Sequence, residues 1–228
     1  MINKAQLNLI EKNNWLNNGY GFYGKGILHS NNSSRNVSAT YIFRSDPFEK
    51  AKHSIIGTEV NYDFNPEWRF NAKVNAGLSS YELQNINKPS FAGESNYNGK
   101  IKNFNINGNY YFSSDYYPGN RRGSLQLQQN ISTNIKNNNI HANVILSDFS
   151  PKFYSFQTQQ KSTNNRIEIG NRFPKFRDFS LSLLYQYQEE SSNSYNLLIG
   201  NLNTDVAQKM RAHRLVEQLS WINAASRQ

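Results

Sequence analysis

The chain has no cysteine. That excludes a disulfide framework and any thiolate-held metal. It also has no apolar run approaching the ~18 residues a membrane-crossing helix needs, so a helical membrane protein is excluded. Acidic residues are scarce: 16 against 25 lysines and arginines, a net charge of +9 over 228 residues. An excess of this size favours a polyanionic partner. The cations are scattered, however, with no run of five or six, and no RNA-binding signature is present, so nucleic acid is not the expected partner. No secretory leader is visible, since Met1-Ile2-Asn3-Lys4 runs straight into the strand-like Ala5–Leu9 stretch.

What is present is unusual. Only 37% of residues are hydrophobic, yet 14% are aromatic, and Asn, Ser, Gln and Tyr abound. Mean hydropathy is −0.77. Disorder would show few aromatics and weak patterning, and here both are strong. A barrel strand needs only about 9–11 alternating residues and leaves no hydropathy peak, so low mean hydropathy does not count against a β-barrel.

The clearest alternation lies in residues 56–79. Ile56, Thr58, Val60, Tyr62 and Phe64 share one parity against Gly57, Glu59, Asn61 and Asp63. After Asn65-Pro66-Glu67, Trp68, Phe70, Ala72, Val74, Ala76 and Leu78 oppose Arg69, Asn71, Lys73, Asn75, Gly77 and Ser79. A period of two sustained this long predicts an antiparallel hairpin with one apolar and one polar face. Pairing Phe64 with Trp68 sets Asp63 opposite Arg69 and Glu59 opposite Lys73, which predicts two cross-strand ion pairs.

The same period recurs from residue 20 to residue 199. Residues 81–99, rich in Asn, Ser and Gly and holding Pro89, read as a long polar connection. Residues 136–139, 161–165 and 189–194 read as further polar connections. The alternate set, residues 65–67, 113–122, 147–152 and 174–178, is flanked by aromatics. In an up-and-down meander alternate connections lie at one end, which predicts a single aromatic rim. Its members include Phe64, Trp68, Phe112, Tyr154, Phe173 and Phe179. Aromatic girdles mark a membrane interface.

With this hairpin and the repeated alternation over most of residues 36–200, the chain resembles a Gram-negative outer-membrane β-barrel. It is most similar to segments of large secretion, usher or receptor-type barrels. The resemblance implies an all-β, antiparallel up-and-down meander in one domain over residues 1–228. It implies outer-membrane lipid as partner, with other parts of the same barrel or secretion components beside it. It also implies passage, uptake or secretion of solutes or macromolecules without enzymatic chemistry. The alternative is a soluble secreted β-rich adhesin or glycan-binding protein. About thirteen strands are expected, and the terminal Ala225-Ser226-Arg227-Gln228 lacks a closing aromatic. A fragment of a larger barrel is therefore expected, with first and last strands unjoined and the apolar face convex. Residues 204–219 read as a strand, with a short helix as the competing reading.

Candidate chemistry is sparse. Gly19-Tyr20-Gly21-Phe22-Tyr23-Gly24 fits G-x-G-x-x-G, but no helix pattern follows to receive a pyrophosphate, so no cofactor is expected. His29, His53, His141 and His213 have no metal-ligand spacing. Glu59 and Asp63 could form a carboxylate pair, but facing Lys73 and Arg69 they read as structural ion pairs. Two N-x-S matches, at Asn36 and Asn130, are expected by chance in an Asn-rich chain. The polar face itself remains. Glu59, Asp63, Arg69, Lys73, Asn105, Asn107, Arg166, Glu168 and Arg172 are the expected lumen-facing residues. Asn103, Asn109, Gln126, Gln128 and Asn130 would complete an amide-rich wall suited to hydrated, sugar-like or anionic passengers.

Overall fold

The computed structural model describes residues 2–11, 20–29, 35–47, 49–118, 121–153, 159–199 and 202–221. Among them every regular element is a β-strand. The strands are β1 (Ile2–Glu11), β2 (Tyr20–His29), β3 (Arg35–Asp46), β4 (Ala51–Asn65), β5 (Trp68–Tyr81) and β6 (Ile86–Ile101). They continue as β7 (Phe104–Ser113), β8 (Ser124–Ile135), β9 (Asn138–Phe149), β10 (Gln159–Arg172), β11 (Phe179–Ile199) and β12 (Leu202–Trp221). All lie in one sheet in chain order, each antiparallel to the next. The expected all-β meander is present. The sheet is not closed, because β1 and β12 do not pair.

The central hairpin has the expected register, with Asp63 opposite Arg69 and Glu59 opposite Lys73. The premise that Phe64 faces Trp68 is corrected. An irregularity between Asp63 and Asn65 sets Asn65 opposite Trp68. The Asn65 side chain also accepts the Glu67 backbone N–H at 2.9 Å, closing the turn locally. Residues 204–219 are strand, as expected, and pair with β11 from Ser194↔Val206 to Leu181↔Leu219.

The largest correction concerns residues 81–99. They are not a connection: β6 fills most of them, and only residues 82–85 turn the chain, with Asn85 at φ 51°. Loop-like composition hid this strand for two reasons. Pro89 pairs toward β5 at Leu78, while the ladder to β7 starts only at Ala92, so no donor is missed on that side. Gly93 and Gly99 interrupt the apolar parity, and a Cβ at Gly99 would collide with the Trp68 indole. Trp68 thus covers the glycine and supplies the apolar surface it lacks, as Tyr97 does over Gly108. Residues 161–165 and 189–194 are likewise strand, within β10 and β11. The expected strand at 154–158 lies outside the described residues. Twelve strands replace the expected thirteen, so β1 and β12 run in opposite senses.

Adding β6 moves the connections at 113–122, 136–139 and 147–152 to the other end, while the expected connection at 161–165 lies within β10 and that at 174–178 keeps its rim. The turns at 65–67, 102–103, 136–137 and 173–178 share one rim, here the short-turn rim. Residues 82–85 and 114–123 and the β9–β10 connection share the other, the long-loop rim. The 136–137 turn has positive φ at both Lys136 (48°) and Asn137 (65°), the backbone of a tight two-residue hairpin. Phe64, Trp68, Phe173 and Phe179 therefore lie toward the short-turn rim, whereas Phe112 and Phe149 lie toward the long-loop rim. The single aromatic rim is replaced by aromatics at both ends.

Burial is inverted relative to a soluble sheet. Large apolar side chains on one parity are open to solvent, including Ile56 (63% exposed), Val74 (64%) and Leu78 (51%). On the opposite, polar parity, His53, Ser79 and Tyr81 are 0% exposed. No second layer of strands packs on either face among the described residues, since strands contact only their neighbours in sequence. The polar face is therefore the sheltered, concave one, and the apolar face the convex one.

Candidate functional site

The registers carry all nine charged and amide residues selected from the sequence onto the concave face. Glu59, Lys73 and Glu94 lie in one cross-strand row. Asp63, Arg69, Asn98, Asn107, Asn130, Asn143 and Glu168 lie in another. Asn105, Arg166 and Arg172 share the same parity. Asn103 is the exception to the expected wall, because it sits in the turn after β6.

The expected ion pairs did not form as such, although the residues face each other. Glu59 takes its cation from β2, at 3.2 Å from Lys25 Nζ. Ser38, small and buried between them on β3, lets the lysine reach across. Asn71 Nδ2 also donates to Glu59, at 3.0 Å. Lys73, Arg69, Asp63 and Arg172 make no ion pair among the described residues. Arg166 bridges Glu168 two positions along its own strand at 2.6 Å, and Asn143 Nδ2 donates to the same carboxylate at 3.0 Å.

Sequence reading missed how the asparagines are wired. Asn109, Asn96, Asn71, Asn61 and Asn36 stand in register across β7, β6, β5, β4 and β3. Each Nδ2 donates to the next Oδ1, from Asn109 to Asn96, on to Asn71 (3.3 Å), to Asn61 and to Asn36 (2.7 Å). This head-to-tail ladder meets most of the polar demand of the row internally. The neighbouring row is different. Asn98, Asn107 and Asn130 make no side-chain hydrogen bond among the described residues, and Asn143 Oδ1 is buried without a partner. Cross-strand register, which no single strand displays, was the signal that would have found both rows.

A second missed feature covers the concave face at the long-loop rim. The β7–β8 connection folds inward as a strap at residues 114–118 and 121–123. Tyr117 is 8% exposed and packs with Ile55, Ala92 and Tyr111. Its hydroxyl bonds the Asn75 side chain, and burial pushes its ionisation up to about 12. Arg122 is buried and anchors the strap. It bridges buried Glu49 at 2.8 Å and donates to the carbonyls of Tyr117 and Lys152, both at 3.1 Å. Its guanidinium also stacks on Phe153 at 4.5 Å. Asp115 pairs with Lys152 at 2.7 Å and holds that ammonium above its usual range. Gly123, at φ 57°, passes so close to Ser150 that a Cβ would strike its carbonyl.

No histidine is part of a metal site. His53 Nδ1 bonds Ser79 Oγ at 2.8 Å, His213 bonds Tyr185 at 2.8 Å, and His141 lies against Gly170. No group of three metal-ligating side chains occurs among the described residues. The Gly-rich run at 20–24 is strand, and the chain continues into β3. Of the six selected aromatics, Phe64, Phe112 and Phe179 are exposed and Trp68 is half-buried, its Nε1 donating to Lys100 O at 3.1 Å. Tyr154 lies outside the described residues.

No protein-family model, no curated protein and no solved structure matches the chain.

Proposed function

We propose that this chain is the wall of a membrane-embedded β-barrel, or a large part of one, in a bacterial outer membrane. It serves passage, uptake or secretion of hydrated solutes or macromolecules and performs no covalent chemistry. The inverted burial carries this reading: a twelve-stranded sheet buries His53, Ser79, Glu168 and Gln186 on its polar parity and leaves Ile56, Val74 and Leu78 uncovered. Contiguous exposed apolar area on this scale needs an apolar neighbour, and lipid is the neighbour that suits every strand at once.

Dimensions support it. From Trp68 to Leu78 the apolar parity of β5 runs ten steps, about 34 Å along the strand. With the tilt usual for such strands this is about 26 Å of height, close to the apolar band of a membrane barrel. Aromatics toward both rims fit its two interfaces. On the outward parity of β11 and β12, Glu189 is bridged by Lys209 and Arg211 at 2.9 and 3.0 Å, so these charges are paired. Glu217 shares that parity.

The open edges of β1 and β12 call for further strands or a closing movement, since unpaired ladder groups are not tolerated in lipid. The deciding experiment is phase partition of the intact chain, followed by reconstitution into phospholipid vesicles. Recovery in the detergent phase and alkali-resistant association with vesicles are expected. A monodisperse, detergent-free chain would establish instead the soluble adhesin or glycan-binding reading.

A further inference from the structure

The strap has a consequence for what the concave face admits. Arg122 precedes β8 and Glu49 precedes β4, four strands apart in the sheet. Along a flat sheet that separation is about 19 Å. Their side chains nevertheless meet at 2.8 Å, each about 5% exposed. The two connections must therefore reach toward each other across the mouth of the concavity at the long-loop rim. Tyr117 extends the same closure inward onto Ile55 and Ala92, and Ile42 of β3 packs against that cluster. Below this cover lie His53, Ser79 and Tyr81, fully buried on a face that is otherwise half-exposed. The asparagine ladder lies beyond it, toward the short-turn rim.

We propose that residues 114–118 and 121–123 form a latched closure over β4–β7, held by Arg122 and Glu49, that bars solutes from leaving the amide-lined face through the long-loop rim. The proposal rests on the reading of the concave face as a conduit and adds its size limit. Tyr117 is the occluding side chain. Arg122 is the latch, acting through the strap rather than on any passenger. Two features suit a latch rather than a plain turn. The ion pair joins two separate connections, so breaking it frees both. Four of the strap's contacts meet at the single Arg122 guanidinium, so one lost side chain removes the bridge to Glu49, both carbonyl contacts and the stack on Phe153.

The cysteine-free sequence makes the test clean. Ala92, 1% exposed beneath Tyr117, is replaced by cysteine in the full chain, with Asn130→Cys as an uncovered control. Labelling by a water-soluble methanethiosulfonate is followed alone and with Arg122→Ala. Since that variant removes the cation beside buried Glu49, a neutral pair, Glu49→Gln with Arg122→Gln, is run beside it. Opening the latch should speed labelling at position 92 at least tenfold and leave position 130 unchanged. In vesicles the same variants should raise uptake of small oligosaccharides severalfold. Equal labelling of latched and unlatched chains would overturn the closure. Faster labelling with unchanged uptake would overturn the size limit. Labelling reads the strap in detergent or buffer alike, so its outcome is independent of whether the chain enters a membrane.

Discussion

The two halves of the concave face are built from similar residues and are satisfied differently. Over β4–β7 the asparagines bond one another head to tail, and a strap covers the long-loop end. Over β9–β12 no amide ladder forms among the described residues, although Glu168 and Gln186 are buried. Arg166 and Glu168 pair along one strand, Gln186 donates to Gln188 two positions on, and Ser147, Ser162, Ser192 and Gln208 line a shallow hollow of about 240 Å³. The difference follows from position. The first half has ladder neighbours on both sides and a connection long enough to fold back. The second ends at β12, which pairs only with β11. A polar face is thus wired across strands where register and cover coincide.

Two arginines sharpen this contrast most. Arg122→Ala removes one partner of a fully buried pair and should cost about 3–5 kcal/mol. Arg166→Ala removes a half-exposed partner and should cost about 0–1 kcal/mol. Denaturant unfolding in detergent reads both. Equal costs would show that the cover over β4–β7 contributes no special stability.

The convex face should show no such contrast. Val74→Arg and Val144→Arg, mid-strand in β5 and β9, should each cost about 2–4 kcal/mol in a bilayer, with Trp68→Arg and Leu78→Arg at about 0–1 kcal/mol nearer the rims. A cost that ignores height along the strand would count against lipid as the outer neighbour.

Smaller effects come from the amide rows. Asn71→Leu breaks the ladder in the middle, stranding Asn61 Oδ1 and the Asn96 amide, and should cost about 1–2 kcal/mol. Asn130→Leu, in the open row, should stay within about 0.5 kcal/mol. Matching values would mean that the ladder bonds exchange freely with water.

Much of this was legible before any coordinates. Strict alternation placed Glu59, Asp63, Arg69 and Lys73 on one face, and turn spacing set their register. Two things were not legible. β6 hid because Gly93 and Gly99 occupy its apolar parity, and the cover over Gly99, Trp68, comes from β5. Losing that strand exchanged the two rims for the turns at 113–122, 136–139 and 147–152, which is how aromatics at both ends read as one ring. The strap hid for another reason. Ser114, Asp115, Tyr116 and Tyr117 have the composition of an exposed loop, and only the buried Glu49 partner of Arg122 shows that it folds inward.

The strap also makes an alkaline prediction, the smallest in effect. Burial raises the Tyr117 phenol from its ordinary value near 10 to about 12. The folded state then holds that proton more tightly than the unfolded chain does. The contribution of Tyr117 is fully present below about pH 10 and is lost as pH rises toward 12. In the Ala92→Cys chain, labelling should accelerate across that window, after correction for the reactivity of a free thiol at the same pH. Tyr117→Phe keeps the ring and has no proton to lose, so its corrected rate should stay flat. An identical alkaline rise in the phenylalanine variant would place the opening elsewhere, in the Lys152–Asp115 bridge, whose ammonium also loses its charge at high pH.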